Sequence, residues 1–252
     1  MSCRLKAFAW HFSGSATVLL IVLGTLYLGW YRWPGWYLTG VLHIVPIMVG
    51  VDVALGPLIT LLIANPSKPA RVLARDVSII VAVQLVALVY GSITLWHGRP
   101  LYYAFSVNEL SVIQAQDIDP AELVRGRQQN PNFAPHWYSL PRWIWAPLPD
   151  DEKTRSTIVA AAIQGGNDVT AMPRYYKDWA AGLPELRKQL VRVGDSRFFS
   201  IPQRKLLQQR MQQKGFAPQG RITLAMTGRD VPLLAVFDPG TLKIKDLLLA
   251  KP

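Results

Sequence analysis

The sequence is poor in charge, nearly without cysteine and, in its first hundred residues, nearly without acid. Only 17% of the 252 residues are charged while half are hydrophobic, a balance below the charged share of an ordinary soluble protein. The single cysteine, Cys3, excludes an internal disulfide. It also precedes the first apolar run, which is the wrong place for a lipoprotein cleavage site. Up to residue 100 the only acids are Asp52 and Asp76, against seven basic residues. The other 14 acidic and 20 basic residues follow, so an apolar part precedes a polar domain of about 150 residues, large enough for its own core.

The signatures of common catalytic sites are missing too. There is no P-loop, no G-x-G-x-x-G, no G-x-S-x-G and no H-E-x-x-H. Asp117-Ile118-Asp119 has the Asp-x-Asp form with which glycosyltransferases hold a metal and a nucleotide sugar. A lone tripeptide is weak evidence, and a strand end leading into a helix begun by Pro120 accounts for it. His11, His43 and His97 lie far apart near the ends of apolar runs. They lack metal-ligand spacing, so interfacial positions are expected, with no metal and no cofactor. The net charge of +11 forms no concentrated basic stripe. It reads as membrane topology plus affinity for anionic lipid, not as nucleic-acid binding.

What is present in quantity is long apolar sequence. Three membrane-spanning helices are expected at about residues 7–30, 38–64 and 77–96, since about 20 residues cross the hydrocarbon core. The first reads as a retained span rather than a cleaved signal peptide, because it is long and its flank lacks a small-x-small site. That flank, Trp30-Tyr31-Arg32-Trp33-Pro34-Gly35-Trp36-Tyr37, looks like an aromatic belt at a membrane surface. Pro46 and Pro57 in the second run are tolerated in a spanning helix as fixed kinks or a hinge. Arg4 and Lys6 precede the first run, Lys68, Arg71 and Arg75 separate the second from the third, and only Arg32 lies between the first and second. The positive-inside rule therefore puts the N-terminus in the cytoplasm and residues 99–252 outside, in the periplasm of a Gram-negative cell.

Residues 99–252 are expected to form an α+β domain. Residues 101–107 and 110–113 read as a strand pair, and residues 120–126 as a turn or two of helix. Residues 151–164, 184–193 and 202–214 read as helices, the first and last closed by Gly165-Gly166 and Gly215. Strands at 221–227, 231–237 and 241–249, joined by Gly228-Arg229-Asp230 and Asp238-Pro239-Gly240, make a C-terminal β-meander. Five prolines in residues 130–149 preclude a long regular element there.

Within the second run, the stretch Gly50-Val51-Asp52-Val53-Ala54-Leu55-Gly56-Pro57-Leu58-Ile59-Thr60-Leu61-Leu62-Ile63-Ala64-Asn65-Pro66 closely resembles the GVDxxLGPLxTLxxxNP signature of the TfpX/TfpZ family of type IV pilin accessory proteins. Asp76, Gln84-Leu85, Ala87-Leu88, Tyr90-Gly91, Thr94 and Arg99-Pro100-Leu101-Tyr102 are similar to that family's next pattern, with Leu101 where valine is commoner. The resemblance implies a multi-pass inner-membrane accessory protein, not an enzyme, that helps a particular major pilin assemble into a type IV pilus. It brings no catalytic residues and leaves the oligomeric state open. A periplasm-facing enzyme that modifies pilin or a lipid-linked sugar, and an envelope sensor, are the competing classes. The sensor lacks a cytoplasmic output domain.

The candidate partner-binding residues are Asp52, Gly56, Thr60, Gln84, Trp137, Trp143 and Trp145. Asp52 stands 14 and 12 residues from the ends of its run, near the midplane, where a carboxylate costs several kcal/mol unless paired, hydrated or protonated. Asp52, Gly56 and Thr60 are four apart and share a helix face, which Ala64 extends. Small residues there admit another helix, either the apolar helix of a pilin or one of the chain's own spans, with Asp52 bonded to Gln84 or a hydroxyl. Gln84 is the second polar group at depth, and Gly91 shares its face. Trp137, Trp143 and Trp145 form either a platform for a partner or lipid, or packing anchors of a folded loop.

Overall fold

The computed structural model describes residues 3–65 and 67–251; Pro66, which closes the stretch of resemblance, lies outside them. The chain forms two compact units. The first takes in the chain to Arg32 and Gly40–Gly98, and the second takes in Trp33–Thr39 and the chain from Arg99 onward.

In the first unit three helices are long and apolar enough to cross a membrane, Arg4–Gly29, Val41–Ile63 and Ala70–His97. The first is α1 (Cys3–Gly29). After it, a single turn α2 (Gly35–Leu38) belongs to the second unit. The middle helix is composite: α3 (Val41–Val49), a π-helical segment (Gly50–Leu55) and α4 (Gly56–Ile63). Pro57 supplies the local cause of the π turn. It has no N–H, and its ring crowds the carbonyl four residues back. The helix widens, and the Gly56 N–H bonds to the Val51 carbonyl, five residues back. The third helix, α5 (Ala70–His97), starts earlier than the expected 77. Its first two turns hold Arg71, Arg75 and Asp76, with Asp76 paired to Lys68 at 3.0 Å and Arg75 at 3.4 Å. Hydropathy marks where lipid is tolerated, not where the helix begins.

The second unit is built on a seven-stranded mixed sheet in the order β4-β3-β1-β2-β5-β6-β7. Its strands are β1 (Pro100–Ser106), β2 (Glu109–Gln114), β3 (Arg142–Trp145), β4 (Lys177–Asp178), β5 (Thr223–Thr227), β6 (Leu233–Phe237) and β7 (Ile244–Leu249). β1 and β2 form the expected antiparallel pair, and β5, β6 and β7 the expected meander. The parallel pairings β1 with β3 and β2 with β5 join these pieces. β3 falls inside the proline-rich stretch, in the four residues between Pro141 and Ala146 that carry no proline.

The helices are α6 (Pro120–Gln129), α7 (Glu152–Ile163), α8 (Leu183–Gln189) and α9 (Ile201–Gln213). Their starts are chemical. Asp119 accepts from the Ala121 N–H at 2.7 Å with Pro120 next to it, Asp151 accepts from the Thr154 N–H at 2.8 Å, and Ser200 and Gln203 form a capping box. Two helix ends use left-handed glycines, Gly165 at φ 79° and Gly215 at φ 76°. α6 is longer than the one or two turns expected. α8 stops short of residue 193, because Val191 exchanges two backbone bonds with Thr223, at 2.9 and 3.1 Å.

The larger departure from expectation is the segment between the first two long helices. Leu38, expected to open the second span, is 0% exposed in the main core of the second unit, beside Tyr37, Phe105, Leu110, Leu233 and Phe237. The Leu38 carbonyl accepts from the Arg229 N–H at 2.7 Å, and the Thr39 carbonyl from the Gln114 amide at 2.9 Å. The spanning helix begins only at Val41, after Gly40 in the left-handed conformation. Tyr37 and Trp36 of the supposed aromatic belt thus serve a protein core.

Burial pushes the phenols of Tyr102 and Tyr103 up to about 12; the Arg142 guanidinium opposes this at Tyr102, and a backbone bond from Gly35 at Tyr103. Tyr176, whose hydroxyl donates to the Thr170 carbonyl, is also raised, chiefly by burial. A raised phenol favours the neutral folded form, so its contribution is complete below pH 10 and disappears as pH climbs through 12. Tyr102 and Tyr103 should each withdraw about 2 kcal/mol by pH 12. Tyrosinate absorbance and circular dichroism of the full chain in detergent should change together in that window. Titration of these phenols near 10 without unfolding would contradict the burial.

Candidate functional site

The polar groups of the first unit's helices are drawn together. His11 of α1 bonds through Nδ1 to Thr60 Oγ1 at 2.6 Å and through Nε2 to Gln84 Oε1 at 2.7 Å. The Gln84 amide donates to the Asp52 carbonyl at 2.8 Å. The proton positions follow from these partners. A carbonyl only accepts, so the Gln84 NH₂ faces Asp52 and Oε1 faces His11. Oε1 only accepts, so His11 Nε2 carries the hydrogen, and in that tautomer Nδ1 accepts from the Thr60 hydroxyl.

The π turn explains why the Asp52 carbonyl is available. In an α-helix the Gly56 N–H would bond to it, but that N–H goes to Val51. The next candidate is residue 57, a proline with no N–H. The orphaned carbonyl would be costly in an apolar surrounding, and Gln84 satisfies it from another helix.

Small residues make the approach possible. A Cβ on Gly56 would stand 2.1 Å from Gln84 Nε2, and one on Gly91 would stand 2.8 Å from Met48 Sδ. Asp52, Gly56, Thr60 and Ala64 are all buried, as are Gln84, Leu88, Gly91 and Leu95 along one face of α5. The small-residue face of the middle helix is therefore met by the chain's own Gln84. The bond expected between Asp52 and Gln84 exists, but through the Asp52 backbone rather than its carboxylate.

Beside this network, α1, α5 and the π turn line a cleft of about 220 Å³ that includes Trp10, His11, Val18, Asp52 and Leu85. His11 was not expected here. Its partners are 49 and 73 residues away, and a histidine in the third turn of an apolar helix carries no local mark of depth.

The three tryptophans divide. On β3, Trp143 packs its ring 4.9 Å from Tyr103 and 5.3 Å from Trp179, while Trp145 lies under Lys177 at 5.4 Å and against Gly182, where a Cβ would come within 2.6 Å. Both are packing anchors of the second unit. Trp137 is 72% exposed, edge-on to Tyr138. Asp117 accepts from the Gln114 N–H at 2.8 Å, and Asp119 caps α6, so both carboxylates of the Asp-x-Asp stretch begin short helices. Burial raises the Asp117 carboxyl, against the backbone bond from Gln114 and the charge of Arg229. Among the described residues no group of three or more His, Cys, Asp or Glu is placed to hold a metal.

No protein-family model matches the chain, and no solved structure matches it. Curated relatives do. A fimbrial assembly protein of serogroup I from Dichelobacter nodosus is 28% identical over 181 residues, 71% of this chain and 68% of the relative. The serogroup E1 protein gives the same identity and coverage. The protein of serogroups C1 and C2 is 31% identical over 108 residues, 43% of this chain and 82% of the relative.

Proposed function

This chain belongs to the family of the fimbrial assembly proteins, and on that premise we propose that it is a non-enzymatic accessory factor of type IV fimbriae, in the manner of the TfpX/TfpZ proteins, which engages a pilin subunit in the inner membrane. The observation that carries the reading is the extent of the likeness. A match of 181 residues is longer than either compact unit, so it reaches both the helical unit and the sheet unit.

The proposed topology places the N-terminus in the cytoplasm and the sheet unit in the periplasm. The distribution of Arg4, Lys6, Lys68, Arg71 and Arg75 against Arg32 supports it. The fold adds independent support. Trp33–Thr39 and the chain from Arg99 onward form one unit, which requires both to be on the same side of any bilayer the helices cross. The two crossings between them, Val41–Ile63 and Ala70–His97, satisfy this.

Clean deletion of the gene should strip the cell surface of fimbriae while leaving pilin synthesis and pilin mass unchanged. Immunoblots of sheared fimbriae and intact-mass measurement of the pilin read both arms. Normal fimbriation would end the proposal, and an altered pilin mass would replace it with an enzyme.

A further inference from the structure

Asp52 is 4% exposed, and its Oδ2 has no hydrogen-bond donor among the described residues. It stands eleven residues from Val41 and eleven from Ile63, the ends of its spanning helix. At 1.5 Å per residue that is about 16 Å from either end, the middle of a hydrocarbon layer about 30 Å thick. A carboxylate at that depth costs several kcal/mol unless something pairs with it. The neighbouring donors are already committed. The Gln84 amide donates to the Asp52 backbone carbonyl, His11 Nε2–H donates to Gln84, and the Thr60 hydroxyl donates to His11 Nδ1.

The same carboxylate lines the cleft, whose remaining walls are largely apolar, with Trp10, Val18, Val81 and Leu85 among them and Gly14 and Ser15 on the α1 side. Trp10, Val18 and Leu85 are exposed, so the cleft opens on the face that would meet lipid. These features limit the occupant. A lipid acyl chain suits the walls but brings no donor to mid-depth, because lipid polar groups stay at the surface. An apolar helix satisfies the walls, packs closely over Gly14 and Ser15, and can carry a cationic group to the acid.

We propose that this cleft receives an apolar membrane-spanning helix bearing an amine at the depth of Asp52. Resting on the fimbrial-assembly reading, that helix is the pilin subunit's. Asp52 and the amine form a charge-assisted bond that fixes the depth of the guest, and the cleft walls hold its apolar flank.

The test uses the full chain in its native membrane with its pilin. A photo-crosslinking residue is placed at position 85 or 18, at the cleft, and at position 62, which is exposed outside it. Pilin adducts at 85 and 18 should exceed those at 62 roughly tenfold, the ratio expected for one charge-assisted bond. Asp52→Asn should remove that excess and Asp52→Glu restore it. Neutralising the amine of the crosslinked pilin peptide should reproduce the Asp52→Asn result. Equal labelling at 62, lipid adducts alone, or indifference to Asp52→Asn would each overturn the proposal. If Asp52→Asn lowers protein levels, the contrast between 85 and 62 in the otherwise unaltered chain decides. Loss of fimbriae on deletion together with no cleft adducts would sink the cleft assignment and leave the assembly reading standing. Normal fimbriation on deletion would remove the assembly reading itself.

Discussion

Alanine at Gly228 should destabilise the sheet unit as strongly as truncation of a core leucine. A Cβ there would stand 2.3 Å from the Leu38 carbonyl oxygen and 2.8 Å from the Leu38 Cβ. The first of these is backbone, and it is held by the Arg229 N–H at 2.7 Å, so it cannot swing aside as a side-chain tip would. Overpacking of this kind costs about 1–3 kcal/mol. The reciprocal change, Leu38→Ala, empties a fully buried site and should cost about 2–5 kcal/mol. For a unit of this size each kcal/mol lowers the melting temperature by roughly 2–4 °C, so Gly228→Ala should lose about 2–12 °C and Leu38→Ala about 4–20 °C. Thermal unfolding of the full chain in detergent, followed by circular dichroism, measures it. Leu42→Ala is the control, because Leu42 lies four residues on but is exposed in the helical unit. Equal melting of Leu38→Ala and Leu42→Ala would mean that residues 33–39 are not part of the sheet unit's core. A fragment beginning at Arg99 lacks Tyr37 and Leu38, and should melt lower than the same residues within the whole chain.

That segment also marks the limit of what could be read from the sequence. The three long helices were legible because roughly 20 apolar residues without charge have few other uses. The meander was legible because its strands alternate with turn chemistry at Gly228-Arg229-Asp230 and Asp238-Pro239-Gly240. Trp36 and Tyr37 depart from the expected belt because an aromatic, apolar loop beside a span has the same composition whether it meets lipid or a protein core. Tyr37 and Leu38 find their partners in β1, β2, β5 and β6, more than sixty residues later in the chain, and no local pattern encodes such a contact. β3 was hidden by the prolines around it. In the helical unit, the spacing of Asp52, Gly56, Thr60 and Ala64 correctly identified a buried face. The role of Pro57 was written five residues after Asp52, in the absence of an N–H, but the remedy came from Gln84 on a different helix. His11 left no signal at all, since its depth is fixed by Thr60 and Gln84 rather than by its neighbours in α1.

Gly56→Ala should do to the helical unit what Gly228→Ala does to the sheet. The new Cβ would lie 2.1 Å from Gln84 Nε2 and 2.3 Å from Gln84 Cδ. Ordinarily a glutamine tip moves away at little cost. Here the tip donates to the Asp52 carbonyl and accepts from His11. Displacing it orphans a buried carbonyl that the π turn and Pro57 have already deprived of its helical partner, at about 1–3 kcal/mol for the unsatisfied group. The expected result is a helical unit that inserts normally, since alanine is fully compatible with lipid, yet melts lower in detergent and supports few fimbriae. Gly24→Ala is the matched control, because nothing lies within 4 Å of its Cβ position, and a helical alanine there is neutral or stabilising by up to about 1 kcal/mol. Asp52→Leu completes the comparison. It keeps the backbone carbonyl that Gln84 needs, so the bundle should remain stable while fimbriation falls. Loss of stability with Asp52→Leu equal to that with Gly56→Ala would show that the carboxylate holds the chain's own helices together, and would leave it no separate part in assembly.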